Sequence, residues 1–519
     1  MTRGVSRRRF LQTSLATTAS VGIFNLQKAF AERSAERVEA VVIGSGFGGA
    51  VASLRLGTAG IETVVLERGR WWEITDAGDT FCTSQKPDGR STWLSPTTLA
   101  LFGQTPIDVY TGVLDIKVGD GISALRGAGV GGSSLVYNGI TYQPTQELFY
   151  QVFPRSINYE ELDRVYYPRV RSILKPSPIP DDILATQFYL ASRIFLEQAT
   201  KANLKARKLD INVDWDIVRQ EIAGTKVPST ILGEIYYGIN SGAKQSLDRN
   251  YLKMALSTGC VQIRPLHVVT EIEESDNNRF RITCNQINEQ GVVVDKKTIV
   301  CRYLFLAAGS IGTTELLLRA KNTGKLRRLN EQVGKLWGNN GDTLGLIATV
   351  GQTNPTQGGP AAIAIEDFDN PISPVAIQQF PFPGLPEGTY NVFGIALTKP
   401  EGYFTYDASK QTANLVWPQN SANDQKIKNA ALDTYQRLNQ ANGTTLAAAP
   451  GTGITGHPLG GATIGAVCNP YGRVHGYPNL FVVDGAFIPG STACTNPSLT
   501  IAALAERSMD RFLNGNFKD

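Results

Sequence analysis

Only three histidines occur in the 519 residues, at positions 267, 457 and 475, so few side chains can take up a proton near neutral pH. His267 lies in a run with strand periodicity and His475 in a turn before Gly476, where structural or solvent-facing roles are expected. His457 stands in Gly456-His457-Pro458-Leu459-Gly460-Gly461, a glycine-rich loop fixed by proline. A ring held there suits removal of a hydroxyl proton, the task of a general base. Asn496 is the second candidate. Pro497 reads as the first position of a final helix over about 498–513, with Asn496 as its cap, and capping alone would account for the pair.

Oxidation at a carbon bearing a hydroxyl also needs a carrier for the hydride, and the start of the chain offers a place for one. The β-branched run beginning at Val38 ends in Gly44-Ser45-Gly46-Phe47-Gly48-Gly49, and Glu67 follows 18 residues after Gly49, at the end of a second strand. In this G-x-G-x-x-G pattern Gly44 permits the tight turn, Gly46 lets the backbone approach a pyrophosphate, and Gly49 lets helix and strand pack closely. The helix start supplies unpaired N–H groups to the pyrophosphate, and Glu67 can accept hydrogen bonds from both ribose hydroxyls. The motif does not separate a nicotinamide from a flavin dinucleotide. Gly127 to Gly132 forms a second glycine-rich stretch, and Arg302 to Ser310 reads as a hydrophobic strand running into a small-residue turn, followed by a helix over 312–320.

Composition bounds what surrounds these motifs. With 42% hydrophobic and 18% charged residues, 52 Gly and 26 Pro, the chain is a loop-rich globular protein of about two domains. Its formal charge of +4 comes from Arg3, Arg7, Arg8, Arg9 and Lys28; beyond residue 31 there are 45 bases against 46 acids, so no cationic surface for nucleic acid is expected. Ser6-Arg7-Arg8-Arg9-Phe10-Leu11, an apolar stretch and Ala29-Phe30-Ala31 resemble a twin-arginine export signal over residues 1–31. The six cysteines have no zinc spacing, so no metal is expected; Cys284 and Cys301 fall on neighbouring predicted strands and could pair, although free thiols are favoured. Helical periodicity fills 150–235 and returns over 424–442. Residues 258–306 read as a β-meander that includes separate strands at 261–265, 292–294 and 298–306, and 342–418 as antiparallel strands of a second layer.

Residues 456–506 carry the densest signal: the His457 loop, Gly472-Arg473-Val474, Asn479 to Gly485, Pro489-Gly490-Ser491, and Thr495-Asn496-Pro497-Ser498-Leu499-Thr500-Ile501. With Gly127 to Ser134, Lys244-Gln245-Ser246-Leu247-Asp248 and Ala308 to Glu315, this pattern resembles the glucose–methanol–choline oxidoreductases, most closely the cholesterol oxidases that hold FAD noncovalently. Glu67-Arg68-Gly69 is similar to the E-x-G of flavoproteins. The resemblance implies an α/β fold: a Rossmann-type FAD-binding domain (35–150, 235–330 and 456–519) and a discontinuous substrate domain on an antiparallel sheet (151–234 and 331–455). It implies that His457 and Asn496 are catalytic, and that Gly44, Gly46, Phe47, Gly48, Gly49, Glu67, Gly127, Gly131, Gly132 and Ser133 bind the cofactor. Tyr137, Asn138, Val268, Asp484, Gly485 and Pro497 complete that cofactor set, and the final helix would point its positive end at the flavin.

The implied reaction is oxidation of a 3β-hydroxysteroid with O2 reduced to H2O2, the enzyme touching a membrane surface transiently through 380–385 or 71–81. A dehydrogenase of another bulky apolar alcohol, with a quinone or cytochrome acceptor, is the alternative. Two departures stand out. Gln378 occupies the position of the glutamate that isomerises the Δ5-3-ketone, three residues before Pro381-Phe382-Pro383; an amide cannot accept that proton, while Glu366 and Asp367 are the nearest acids. In Tyr137-Asn138-Gly139 the family's asparagine stands one position earlier, so either Tyr137 faces the flavin or the loop shifts to present Asn138. No histidine lies between Glu67 and Gly139 to carry a covalent flavin, so noncovalent FAD is expected.

Overall fold

A computed structural model describes residues 35–99, 104–348, 351, 353, 357–382 and 384–515; the expected export signal lies outside them. Glu36–Ile43, whose inner residues are buried on both faces, runs parallel between Thr63–Leu66 and Val293–Leu306. Val261–Arg264 extends this sheet beyond Thr63–Leu66, and Leu480–Val482 joins it beside Val293–Leu306. The parallel sheet is thus assembled from distant parts of the chain. Helix Phe47–Thr58 packs against the carboxy-terminal helix Ser498–Leu513.

The meander differs from expectation at both ends. Val261–Arg264 follows helix Tyr251–Ser257, and a strand entering after a helical crossover pairs in parallel, so it belongs to the parallel sheet. Val293–Leu306 is one continuous strand: exposed Asp295 and Lys296 interrupt its hydrophobic pattern, yet its first half pairs antiparallel with Arg279–Ile287. In that register Cys301 faces Phe280 while Cys284 faces Lys297, four residues along the ladder, about 13 Å. That is too far for a disulfide, and all six cysteines are free thiols.

The second sheet is antiparallel throughout, in the order Thr445–Gly451, Asp342–Ala348, Thr389–Ala396, Val375–Phe380, Ile363–Asp367, Ala206–Lys208. Leu344 and Gln378 both face Phe393, and Ala364 faces Gln378, so Asp342, Phe393, Gln378 and Glu366 share one face of the pleat. Helices Ala422–Asn442 and Leu190–Lys201 cover the other face: Gly394 lies against Ala431, and Ser192 donates to Gln379. Of the stretches expected to form a membrane rim, 73–80 is exposed or half-buried, and the aromatic residues at its ends turn inward. Trp72 and Phe81 are buried and stacked with centroids 5.2 Å apart, and Phe380 is buried. Among the described residues no helix is long and apolar enough to cross a membrane, and no cluster of His, Cys, Asp and Glu could hold a metal.

Candidate functional site

The two glycine-rich stretches fold onto each other. Gly44 adopts φ +96°, where a side chain would strike Ala307, and a Cβ on Gly48 or Gly49 would fall 1.9 Å from the Val483 carbonyl or 2.1 Å from that of Gly44. At Gly46, by contrast, a Cβ would meet nothing within 4 Å, and the helix that starts after it has no side-chain cap, so its first N–H groups are free to face that space. The second stretch leans on the first: a Cβ on Gly132 would lie 2.8 Å from the Gly46 Cα, and the Gly131 N–H donates to Ser45 Oγ at 3.0 Å.

Ser45 Oγ donates in turn to Glu67 (2.7 Å), which also accepts from the Ser45 N–H (3.1 Å) and the Gly69 N–H (2.9 Å). Burial raises the Glu67 pKa. With three of about four lone-pair sites filled, the carboxylate has room for one further donor rather than two. The His267 N–H donates to the Glu67 carbonyl, which sets half-buried Val268 beside the acid. Ser133 is exposed and accepts from the Gly127 N–H. A bare glycine edge at a free helix start, with a buried acid at the next strand end, fits a dinucleotide: pyrophosphate at Gly46, ribose at Glu67.

Asp484, just past Leu480–Val482, ties this cleft to the rest. It accepts from the Gly309 N–H (2.9 Å), Thr313 Oγ1 (2.5 Å) and the Ala486 N–H (2.8 Å), and burial pushes its carboxyl up to about 6. The Gly485 carbonyl accepts from the Gly460 N–H at 2.8 Å, anchoring the loop that carries His457.

Over that loop the sequence-predicted residues converge. His457 Nε2 lies 3.5 Å from Asn496 Nδ2, and Gln378 Nε2 donates to Asn496 Oδ1 at 2.7 Å. Asn496 does not cap the final helix: Pro497 occupies the cap position, no side chain caps that helix, and the Asn496 amide is turned toward Gln378 and His457. His267 and His475 stand elsewhere, the first in a strand with Nδ1 2.7 Å from the Pro265 carbonyl, the second exposed. At the loop with two possible arrangements, Tyr137 packs edge-on against Phe47 (5.5 Å) and accepts from Asn212 Nδ2 (3.0 Å). Asn138 turns away, its Oδ1 accepting from the Ala361 N–H.

Sequence reasoning missed three neighbours of His457. Asp342 Oδ1 lies 2.8 Å from Nδ1, Asn340 Nδ2 lies 3.5 Å from the same nitrogen, and the Phe393 ring meets the imidazole edge-on at 5.5 Å. From Phe393 a row of aromatic rings continues through Phe380 (5.7 Å) and Tyr236 (6.5 Å from Phe380) to Phe382 (5.5 Å). Strand alternation in 389–396 is the signal available for Phe393; Asp342 opens the stretch expected as antiparallel strands, and nothing local ties it to His457. The two acids named from sequence are engaged elsewhere. Glu366 shares the face of Gln378, but its carboxylate accepts from Tyr142 (2.6 Å) and pairs with Lys205 (2.6 Å). Burial works to raise its pKa, and those partners outweigh it, so the net shift is downward. Asp367 points to the opposite face, toward Thr434 and Arg437.

Known proteins match this arrangement along nearly the whole chain. The amino-terminal family model of GMC oxidoreductases matches residues 38–335 and the carboxy-terminal one residues 401–505. Cholesterol oxidase of Mycobacterium tuberculosis is 26% identical over 554 residues, covering 92% of this chain and 91% of that protein. A cholesterol oxidase of Acinetobacter baumannii is 24% identical, covering 90% and 93%. Among solved structures, pyridoxine 4-oxidase from Mesorbium loti superposes with TM-score 0.63 at 15% identity, covering 92% of this chain and 99% of that one. A structure of Aspergillus oryzae RIB40 formate oxidase that addresses a mutation's effect on FAD modification superposes with TM-score 0.60 at 14% identity, covering 93% and 99%.

Proposed function

The chain belongs to the GMC oxidoreductase family and is an FAD-dependent oxidoreductase acting on CH–OH groups; from that premise we propose that it oxidises a 3β-hydroxysteroid, with O2 taking the electrons and H2O2 released. The observation that carries the steroid assignment is the row of rings Phe393, Phe380, Tyr236 and Phe382 leading away from His457. A rigid, apolar, elongated alcohol gains most from such a wall, because each ring offers area without rotamer entropy to lose. The relatives named for cholesterol oxidation support the same reading.

In this reading bound FAD would supply the acceptor for the hydride of the carbinol carbon. The chain's own part is the proton. His457 Nε2 accepts it from the hydroxyl, and Asn496, held by Gln378, fixes the amide that adjoins Nε2. Gly46 and the helix start would hold the pyrophosphate, and Glu67 the ribose. FAD is noncovalent in this proposal, supported by the lack of a histidine between Glu67 and Gly139. Export by the twin-arginine route and transient contact with a membrane surface belong to the same proposal, the first supported by the Arg7-Arg8-Arg9 leader and the second by the insolubility of the substrate.

Anaerobic mixing of FAD-loaded protein with cholesterol, followed by visible flavin absorbance, tests it. Rapid bleaching and peroxide on readmission of air are expected. Bleaching by other alcohols but not by cholesterol would leave the chemistry standing and remove the steroid. Turnover with a dye but without peroxide would favour the dehydrogenase reading.

A further inference from the structure

Asp342 opens the strand Asp342–Ala348 and has no solvent exposure, yet among the described residues its ion-pair partner is not Lys or Arg but His457. Its two oxygens are divided. Oδ1 lies 2.8 Å from His457 Nδ1, while Oδ2 accepts from Thr455 Oγ1 (2.6 Å) and the Gly456 N–H (3.2 Å). Thr455 Oγ1 accepts in turn from the His457 N–H at 2.9 Å, so the carboxylate grips the histidine through both its ring and its backbone.

The ring has two neutral tautomers, and its nearest contact selects one: Nδ1 lies 2.8 Å from Asp342 Oδ1, against 3.5 Å from Asn340 Nδ2, which donates to the Thr495 carbonyl at 2.9 Å. With the proton on Nδ1, that N–H meets a carboxylate oxygen and the bare Nε2 faces the Asn496 Nδ2 donor at 3.5 Å. With the proton on Nε2, a lone pair on Nδ1 would face the buried carboxylate and an N–H would face the Asn496 amide N–H, two mismatches at once. Asn496 turned over alone would set its N–H₂ against Gln378 Nε2, so relieving the second mismatch requires both amides to turn together.

We infer that Asp342 is the positioning residue of this site: it holds His457 with Nδ1 protonated, leaves Nε2 as the proton acceptor, and balances the imidazolium after the substrate's proton arrives. Nothing needs to leave or be supplied for this; the hydroxyl proton moves to Nε2, and the carboxylate stays ionised. The inference rests on the alcohol-oxidation reading only for what the proton acceptor is used for, not for the tautomer itself.

Nitrogen NMR of the ¹⁵N-histidine-labelled holoenzyme is the test. Three histidines give three pairs of ring signals, and His457→Gln assigns one pair by its disappearance. The expected result is a protonated Nδ1 and a bare Nε2 on neutral His457. In Asp342→Asn the amide keeps the shape but not the charge, and its N–H₂ must face either Nδ1 or the Gly456 N–H. The single tautomer of the wild type should then give way to a mixture in the nitrogen spectrum, and kcat/KM for the oxidised alcohol should fall about tenfold or more. An Nε2–H tautomer in the wild type overturns the inference without any variant having to fold. So does an Asp342→Asn enzyme that keeps a single Nδ1–H tautomer and the wild-type kcat/KM while only its melting temperature drops. Failure of every alcohol to reduce the flavin would instead sink the functional reading and leave the tautomer result as it is.

Discussion

His457, Asn496 and Gln378 divide the work by what each group can donate or accept. His457→Gln keeps a side chain of similar reach but no base, and it lies away from the glycine edges that receive the nucleotide. It should therefore bind FAD normally and reduce it about 10²- to 10⁴-fold more slowly, as stopped-flow absorbance would show; unchanged kinetics would remove His457 from the chemistry. Gln378 is matched to Asn496 as donor to acceptor at 2.7 Å and has no proton to trade at neutral pH, so a Δ5-3-ketone product should leave unconjugated. Gln378→Glu places a carboxyl on a site only 2% exposed. It should gain conjugated enone, read at its ultraviolet band, while oxidation slows because Asn496 loses the donor that fixes its orientation. Enone from the wild-type enzyme would mean another base is present. These three residues were legible in the sequence because each sits in a local motif. Asp342 was not: its bond to His457 spans 115 residues, and no local pattern announces a partner brought by the register of a distant strand.

At the scale of elements, the strand–turn–helix at 36–58 uses its glycines for different ends, and substitution separates them. Gly48→Ala puts a Cβ 1.9 Å from the Val483 carbonyl, so backbone must move and the apoprotein should lose several degrees of melting temperature. Gly46→Ala meets nothing in the protein within 4 Å. Its apoprotein should melt as the wild type does, while the methyl occupies the edge meant for pyrophosphate and weakens FAD binding about tenfold or more, by flavin fluorescence titration. Equal melting losses in both variants would contradict the division. This element was readable because a buried β-branched strand, a glycine turn and a terminal acid form one contiguous signal. The meander was read less well. Val261–Arg264 looks like its neighbours in composition, and only the preceding helix Tyr251–Ser257 reveals a parallel partner. Likewise the Asn-Pro pair at 496–497 carries a capping signature, but tertiary hydrogen bonds to Gln378 and His457 win over the cap.

Across the whole molecule, the parallel sheet is built from strands at 36–66, 261–306 and 480–482, and Asp484 stands where these meet the loop of His457. Its carboxylate binds the start of helix Gly309–Asn322 and the turn Gly485–Phe487, and Gly485 holds Gly460. That junction has a pH signature. Burial raises the Asp484 pKa from 3.8 to about 6, so the folded state binds more protons than the unfolded state between those values. The sign follows: the contribution is fully present below pH 3.8, is lost as pH rises through about 6, and the loss is roughly 3 kcal/mol, two pKa units at 1.36 kcal/mol each. Asp484→Asn imitates the protonated carboxyl at every pH. Its amide N–H₂ must face one of the backbone donors, a cost that does not vary with pH, whereas the wild type alone suffers the loss of protons. The melting temperature of the variant minus that of the wild type should therefore rise between pH 4 and pH 6 and level off above. Other raised carboxyls such as Glu67 are common to both proteins and cancel in that difference. A difference that stays flat from pH 4 to pH 7 would show that the junction is held by an already neutral acid or by a fully stabilised anion, and Asp484 would then be a structural tie with no titration of its own.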